Sequence, residues 1–469
     1  MMLRYFAMTM IICLSTWLWS QENSQPENKD LPKSSAKPTP TTPATENQPK
    51  LPQAPNAEMG PQPAADDEYH TPRAGEALKG YVPLIGVDFE VPARDRSETM
   101  AISLGAALYA PKVADDAVIP FLAFYYADSW QEHKRRVRMI LAIVANFIDF
   151  NDGTWNDLGV EAILGFENYT LPISSTIEIE KKSLEDTEIF WGYVRGAVGL
   201  GWRTRISPWQ VDNNFSIGFT YEPGLFYFKD TSVTADNYLV PPTTYEDRFH
   251  LKVRMDALER NIMEMRHSGW AAGLDAVRGH RYHWRDHDFN GSSKKEDTET
   301  YYYISGFGTI AGGPAFLSEK HRFIFSVYWG LEGAKQLDRY SAPRLGGGPG
   351  GDESEALSRC PIPGMRLDEF VVSRYLLFGL EYRLELLFFT YLHIKGTIGP
   401  IRRMELDDHD REVAMTKNEA VGSIGVALTT GFIWDSQLYL EYVHDRGLLR
   451  GTAKNEGGHN VMFTWSKSF

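Results

Sequence analysis

Residues 461–469 read VMFTWSKSF, and the alternation in this stretch decides the fold class. One face carries the apolar side chains Val461, Phe463, Trp465 and Phe469. The opposite face carries Met462, Thr464, Ser466 and Ser468. A period of two residues is typical of a β-strand that turns one face to an apolar phase and the other to a polar one. The stretch therefore predicts an amphipathic β-strand.

The aromatic residues of this strand also suggest how the protein reaches its location. Phe463, Trp465 and Phe469 resemble the carboxyl-terminal signal by which outer-membrane barrels are recognised for insertion, although Lys467 departs from that signal. A terminal aromatic residue also fits the belt at a membrane interface. The resemblance implies that the barrel-assembly machinery is a partner during insertion. The alternative interpretation is an ordinary amphipathic edge strand.

The same alternation recurs along most of the chain. In one example, Phe215, Ile217, Phe219 and Tyr221 alternate with Ser216, Gly218 and Thr220. We predict sixteen strands, at 81–91, 97–110, 117–128, 135–149, 156–169, 189–204, 213–229, 246–257, 266–283, 297–312, 320–334, 369–385, 387–402, 419–430, 436–445 and 457–469. No apolar run of about 18 residues follows residue 20, so a helical span is not expected. The prediction is all-β: a transmembrane antiparallel β-barrel of about 16 strands.

The lengths of the connections between these strands support a barrel. If the first strand runs outward, the even-numbered connections are short: 111–116, 150–155, 205–212, 258–265, 313–319, 386 and 431–435. The odd-numbered connections include the long segments 170–188, 230–245, 284–296, 335–368, 403–418 and 446–456. Outer-membrane barrels pair short periplasmic turns with longer external loops. Two soluble β-sandwiches would have no reason to sort loop length in this way.

The beginning of the chain has a different composition. Residues 1–20 combine Arg4, an apolar run and a terminal Ser20, which is the layout of a signal peptide. Residues 21–80 are rich in Pro, Gln, Asn and Thr, and they predict a disordered, Pro-rich periplasmic linker that could bind a periplasmic partner. The predicted domains are thus 1–20, 21–80 and an outer-membrane barrel at 81–469, in a Gram-negative-type bacterium.

Charge and cysteine content restrict the function. The formal net charge is -14, and Lys and Arg are not clustered, so a nucleic-acid partner is not expected. Cys13 lies in the predicted signal peptide, which leaves Cys360 alone and predicts no internal disulfide. Outer-membrane lipid is the partner expected for a barrel surface, and no cofactor is expected.

Two stretches point to a known family. The first is the longest predicted loop, which contains Leu345, Gly346 and Gly347, followed by Pro363, Gly364 and Arg366. The second is the set Asp256, Arg260, Asn261 and Gly269 around a predicted turn. Together they resemble the BamA/TamA-type bacterial surface antigen family. That resemblance implies a barrel of sixteen strands whose long sixth loop, an extracellular one, folds toward the lumen.

The resemblance covers the barrel alone. In the family, an Arg precedes the Gly at the tip of the sixth loop, whereas Pro363 precedes Gly364 here and the nearest Arg is Arg366. Residues 21–80 are also too few and too polar to form the POTRA domains that the protein-assembly members carry. The resemblance therefore favours a porin-like transport or scaffold barrel. A reduced assembly or secretion factor that works with a periplasmic partner is the alternative.

A third possibility is a hydrolase at the rim of the barrel. His280, His283 and His287 lie near Asp286 and Asp288, which is the densest group of potential metal ligands or acid–base residues in the sequence. A solvated external loop is the more common explanation of such a group. We expect neither a metal site nor catalytic residues, and no enzyme activity.

Overall fold

The computed structural model describes residues 70–82, 86–113, 116–142, 145–169, 173–179, 182–284, 288–289, 299–333, 337–338, 340–346, 358, 362–365, 370–406, 413–432, 436–446 and 457–468. Every regular element in these residues is a β-strand. Within the same residues, no helix is long and apolar enough to cross a membrane. The predicted signal peptide and nearly all of the predicted linker lie outside the described residues.

Sixteen of the strands form a closed antiparallel barrel. Its first eight strands are β1 Glu98–Val113, β2 Asp116–Trp130, β3 Arg135–Ala142, β4 Ala145–Asp152, β5 Val160–Tyr169, β6 Lys182–Arg205, β7 Asn214–Asp230 and β8 Thr244–Arg260. The second eight are β9 Arg266–Arg281, β10 Thr300–Gly312, β11 His321–Glu332, β12 Phe370–Leu387, β13 Thr390–Leu406, β14 Val413–Phe432, β15 Ser436–Arg446 and β16 Gly458–Ser468. The predicted fold class is confirmed.

Closure occurs where the last strand pairs with the first. β16 is antiparallel to β1, with Phe463 opposite Ala106 and Trp465 opposite Leu104. Short strands add to this ring at two places: Ile173–Ile179 pairs with β6, and Arg344–Leu345 pairs with β12. Because the sheet closes on itself, the barrel leaves no free strand edge.

The predicted number of strands is correct, but two predicted segments are wrong. Segment 81–91 is not a barrel strand, because Leu78–Val82 and Val87–Val91 form a separate two-stranded sheet before β1. Segment 135–149 is not one strand, because it contains β3 and most of β4. The first error adds a strand and the second removes one, so the two offset each other.

The longest connections between strands all lie at one end of the barrel. The connections after even-numbered strands are 131–134, 153–159, 206–213, 261–265, 313–320, 388–389 and 433–435. Long connections, including 333–369 between β11 and β12, follow odd-numbered strands. We call the end with the connections after even-numbered strands the short-turn end. The connection 111–116 was predicted there, but it joins β1 to β2 and therefore lies at the opposite end.

The outer face of the barrel is apolar. Large apolar side chains that point outward include Leu108, Leu164, Leu200, Phe219, Ile310, Leu380, Ile398, Ile424, Leu440 and Phe463. Their neighbours along each strand point inward and are mostly small, polar or charged, as on β8, where Glu246 and Arg254 are buried. An apolar exterior around a polar interior is the pattern of a transmembrane β-barrel.

We predict that a charge on this outer face destabilises the barrel in a way that depends on depth. Ile398 lies mid-way along β13 and is 65% exposed, so Ile398→Arg should cost about 2 to 4 kcal/mol in a bilayer. Leu158, in the turn before β5, is 77% exposed, and Leu158→Arg should cost much less. Urea unfolding in lipid vesicles measures both. Equal costs would contradict a lipid-facing position for Ile398.

Candidate functional site

The tip of the sixth loop lies inside the barrel. Ile362 is fully buried and Met365 is 3% exposed. The amide of Met365 donates a hydrogen bond to the carbonyl of Ile362 at 3.2 Å, which makes 362–365 a tight turn. Gly364 in this turn has a φ of +81°, and a Cβ there would stand 2.9 Å from Cγ1 of Val443 on β15. The turn is therefore packed directly against the inner wall.

The two ends of the loop are held close to β12. Leu345 pairs with Phe370, and both side chains are buried. The amide of Val372 donates to the carbonyl of Pro343 at 3.0 Å. Gly346, the next loop-motif residue, is half-buried. Gly347 and Arg366, also part of the predicted loop motif, lie outside the described residues, so what the sequence predicts for them stays a prediction.

A continuous apolar layer connects the loop to the wall. Its buried members are Leu258, Ala271, Phe307, Ala311, Ile324, Tyr328, Leu345, Ile362, Met365, Phe370, Val372, Leu377, Ile401 and Val421. Strands β8 to β14 supply the wall side of this layer, and the loop supplies the lumen side. Burying such side chains stabilises each by about 1.5 to 3 kcal/mol relative to exposure. The loop is thus part of the core of the folded barrel.

A buried ion pair also fixes the loop, on the side of the long connections. Arg281, at the end of β9, is fully buried and pairs with Asp338 of the loop, which is 4% exposed. The indole N–H of Trp284 donates to the same carboxylate at 3.0 Å. The guanidinium of Arg281 also lies 3.9 Å from the ring of Trp284. Asp338 was not predicted as a site residue, because linear spacing does not show which loop carboxylate meets which strand.

Aromatic side chains surround this ion pair. The buried members of the cluster are Tyr169, Trp191, Tyr193, Phe226, Tyr238, Trp284 and Tyr340, together with Ala145 and Ile189. Tyr340 belongs to the sixth loop and packs edge-on against Trp191, with 5.8 Å between ring centroids. Arg344, also in the loop, lies over Trp191 at 4.7 Å. Aromatic contacts from the wall therefore hold the loop as well.

Charged side chains on β6 to β9 form a connected polar wall. Arg195 and Glu246 are buried and lie 2.7 Å apart. His250 sits between Glu222, at 3.0 Å, and Asp275, at 2.8 Å. A buried charge is costly unless an opposite charge accompanies it. Period-two counting could have placed these residues on the inner face, but it gives no information on their cross-strand partners.

The predicted turn motif is built into the connection between β8 and β9. Asp256 and Arg260 are both buried and form an ion pair of 2.7 Å. Oδ1 of Asn261 accepts hydrogen bonds from the amides of Met263 and Met265, at 3.1 and 3.0 Å. These contacts hold the turn at the short-turn end.

Gly269, the last residue of that motif, allows two strands to approach closely. Its φ is +92°, and a Cβ would lie 2.1 Å from the carbonyl oxygen of Ala257. Only glycine fits such a position without a shift of the backbone. Around β8 and β9, the motif therefore supports the shape of the barrel wall, whereas any further role for it stays a prediction.

The residues of the proposed insertion signal face outward where they are described. Phe463 is 47% exposed on the outer face of β16, and Trp465 follows on the same face. On the inner face, Thr464 is buried. Phe469 lies outside the described residues. The alternation predicted from the sequence is present, whereas recognition by an assembly machine stays a prediction.

The histidine group predicted at the rim is only partly described. Nδ1 of His280 lies 2.9 Å from the hydroxyl of Thr300, and His283 is exposed with a φ of +56°. Asp286 and His287 lie outside the described residues, and no side-chain contact is described for Asp288. Among the residues that the structure describes, no three His, Cys, Asp or Glu side chains are grouped so that they could hold a metal ion.

No family model matches the sequence, and a search of curated proteins finds no match. Several solved structures are similar. BamA from Haemophilus ducreyi lacking POTRA domains 1–3 is 10% identical, with a TM-score of 0.48 over 84% of this chain and 75% of that chain. CdiB from Acinetobacter baumannii is 10% identical, with a TM-score of 0.47 over 84% and 66%. CdiB from Escherichia coli is 8% identical, with a TM-score of 0.48 over 84% and 67%.

BamA, to whose family the loop motifs show a resemblance, is among these similar structures. With TM-scores of 0.47 to 0.48 and identities of 8 to 10%, the matches assign neither a family nor an activity to this chain. What the barrel does therefore has to be inferred from its own lumen.

We predict that Gly364→Ala loosens the sixth loop. The substitution would place an L-residue at a φ of +81°, and its Cβ would press against Val443. The seated position of the loop should therefore be destabilised by about 1 to 3 kcal/mol. The rate at which trypsin cleaves the loop should rise. Gly308→Ala in β10 is the matched control, because nothing lies within 4 Å of a Cβ there. Equal rates in the two variants would contradict the seating of the tip.

Asn261→Ala should destabilise the turn between β8 and β9. It removes the acceptor for two backbone amides, and leaving buried donors without a partner costs about 1 to 3 kcal/mol. Asn261→Asp retains an oxygen at the same place and should cost far less. The midpoint of urea unfolding measures the difference. If both variants unfold at the same midpoint, the side chain does not cap this turn.

Proposed function

We propose that the protein is an outer-membrane transport or scaffold barrel whose lumen is closed at rest by its sixth loop. The membrane position follows from the apolar exterior of the closed sheet. The observation that carries the proposal is the burial of 362–365 against β15, inside the barrel. A loop of this length, attached at both ends to neighbouring strands, can leave the lumen without unfolding the barrel.

The contacts of the loop are suited to reversible closure. The described part of the loop contributes a buried ion pair between Asp338 and Arg281, aromatic contacts from Tyr340, and apolar contacts from 345, 362 and 365. Among its described residues, the loop makes backbone hydrogen bonds or pairings with the barrel at Gly333 and at 343–345. Because side chains rather than a long backbone ladder hold it in place, the loop can detach as a unit while the wall strands keep their hydrogen bonds.

Conductance across a planar bilayer tests this proposal. The full chain is compared with a variant in which a short Gly-Ser linker replaces residues 335–368. It is also compared with Asp338→Asn, which removes the nearer of the two carboxylates that pair with the buried Arg281. Both variants should conduct more than the unmodified protein, and the deletion should have the larger effect. Asp236→Asn, in the exposed connection between β7 and β8, is the control. A folded deletion variant with unchanged conductance would overturn the proposal.

The competing function is a reduced assembly or secretion factor with a periplasmic partner. It is favoured by one observation: residues 71–73, at the end of the predicted linker, contact the short-turn end of the barrel. A partner bound to the linker would thus be held near that end. Cross-linking through residues 21–69 in cells, followed by identification of the captured proteins, tests this function. Failure to capture a periplasmic protein would weaken it.

The rim hydrolase is the least supported function, and we propose that the protein is not an enzyme. His283 and His287 are the residues on which a hydrolase would depend. Replacing both with Ala should change neither loop seating nor conductance. A lost hydrolytic activity in that variant would instead establish an enzyme.

A further inference from the structure

A short segment before β1 is buried at the short-turn end. Thr71 is 1% exposed, and its amide donates a hydrogen bond to Oε2 of Glu319 at 2.9 Å. Its hydroxyl donates to Oε2 of Glu385 at 2.8 Å. Glu319 lies in the turn between β10 and β11, and Glu385 lies near the end of β12. Two carboxylates from different parts of the wall thus hold a single residue of the segment.

Arg73 extends this attachment. Its guanidinium lies 3.0 Å from Glu259, 3.3 Å from Glu319 and 2.9 Å from the ring nitrogen Nε2 of His267. The side chain of Arg73 is only 12% exposed. An ion pair that is largely shielded from water contributes more than one on an open surface. Arg73 therefore contributes to holding the segment in the mouth of the barrel.

Backbone hydrogen bonds fix how the segment lies against the turn between β8 and β9. Arg73 forms an antiparallel bridge with Asn261. The amide of Ala74 donates to the carbonyl of Arg260, and the amide of Ile262 donates to that of Pro72, both at 3.0 Å. The segment therefore has a defined register against the turn between β8 and β9.

The chain then crosses the mouth to reach β1. In a ring of sixteen strands, β1 stands opposite β9, so the attachment beside β8 to β12 and the start of β1 lie on opposite walls. The amide of Arg94 donates a hydrogen bond to the carbonyl of Gly75 at 3.1 Å. The chain therefore leaves at 76 and returns to the same place at 93. The direct path consists of 71–75 and 94–97, and we call these residues the mouth strap.

Further ion pairs hold the mouth strap near its β1 end. The guanidinium of Arg96 lies 2.7 Å from Asp212, in the turn between β6 and β7, and it also pairs with Glu264, in the turn between β8 and β9. The mouth strap is thus attached at 71–73, by side chains of β8, β9, β12 and the turn between β10 and β11, and again at Arg96, by side chains of two other short turns.

Two of the carboxylates that hold the mouth strap, Glu319 and Asp212, have pKa values below their ordinary values. Burial raises the pKa of Glu319, but the amide of Thr71 and the guanidinium of Arg73 outweigh burial and lower that pKa overall. Burial likewise raises the pKa of Asp212, and Arg260 and Arg96 reverse the effect, so its pKa is also lowered. The charged forms that bind the mouth strap are therefore the stable ones.

We propose that the mouth strap is a second gate, which narrows the short-turn mouth of the lumen and opens when 71–73 detach from Glu319 and Glu385. This inference rests on the proposed transport function and deepens it. The sixth loop occupies the lumen from the side of the long connections, and the mouth strap lies across the other end. A passing solute therefore meets two barriers, each held mainly by side-chain contacts.

The first experiment measures detachment without measuring transport. Trypsin cleaves after Arg73 only when this segment leaves its site, so the cleavage rate reports the detached fraction. Thr71→Val removes the hydroxyl that donates a hydrogen bond to Glu385, and Glu319→Gln removes one of the two carboxylate charges beside Arg73. Each should accelerate cleavage after Arg73 by about tenfold. Asp157→Asn is the control, since Asp157 is a 95% exposed carboxylate in another short turn.

The second experiment measures the gate. Conductance is compared in the barrel that lacks residues 335–368, with and without Thr71→Val and Glu319→Gln together. The combined variant should conduct more. Thr71→Val alone changes no wall residue, so a lower yield of folded protein from Glu319→Gln would not prevent the test.

The outcomes separate this inference from the proposed function. Unchanged cleavage after Arg73 would overturn the attachment of the mouth strap. Faster cleavage with unchanged conductance would overturn the gate and leave the role of the sixth loop intact, provided that loop deletion raises conductance. A barrel without the loop that conducts only after the mouth strap is released would support the gate and overturn the loop as the main barrier. No conductance in any variant would overturn both.

Discussion

The pairing of every backbone N–H and C=O group in the bilayer is the constraint on which the structure depends. Water is absent from the hydrocarbon core, so a sheet can satisfy these groups only by closing on itself. The pairing of β16 with β1 completes that closure. Alternation of side chains then follows, because successive residues point to opposite faces of the sheet. One face becomes the apolar exterior and the other lines the lumen.

Much of the fold could be predicted from the sequence, because this alternation is local. The errors arose where the local pattern is ambiguous. The run from Arg135 to Asp149 contains no Gly or Pro between β3 and β4, so two strands resemble one. Residues 81–91 have the composition of a barrel strand but form their own hairpin. The predicted number of strands can therefore be correct although the strand boundaries are wrong. Only the pairing across the sheet shows which segments belong to the barrel and which contain two strands.

The candidate site was less predictable, because its contacts join residues that are far apart in the chain. The pair of Arg281 and Asp338 spans 57 positions, and the hydrogen bond between Thr71 and Glu385 spans 314. No periodicity carries such information. Gly364 was identified because the tip of the long loop resembles that of the BamA/TamA-type family, but the sequence could not show that the turn packs on Val443. The residues that form a turn are adjacent in the sequence, whereas the residues on which the turn packs are far away in it.

The inner wall is not uniform, and this asymmetry explains where the inserted segments are attached. Strands β8 to β12 present Arg281, Glu385 and most of the apolar layer, and both the sixth loop and residues 71–73 of the mouth strap bind there. The sixth loop also reaches Trp191 on β6 and Val443 on β15. Buried charges on this wall need partners, and the inserted segments supply them, as Asp338 does for Arg281. The inserted segments therefore bind where the wall presents charges and apolar side chains that they can cover.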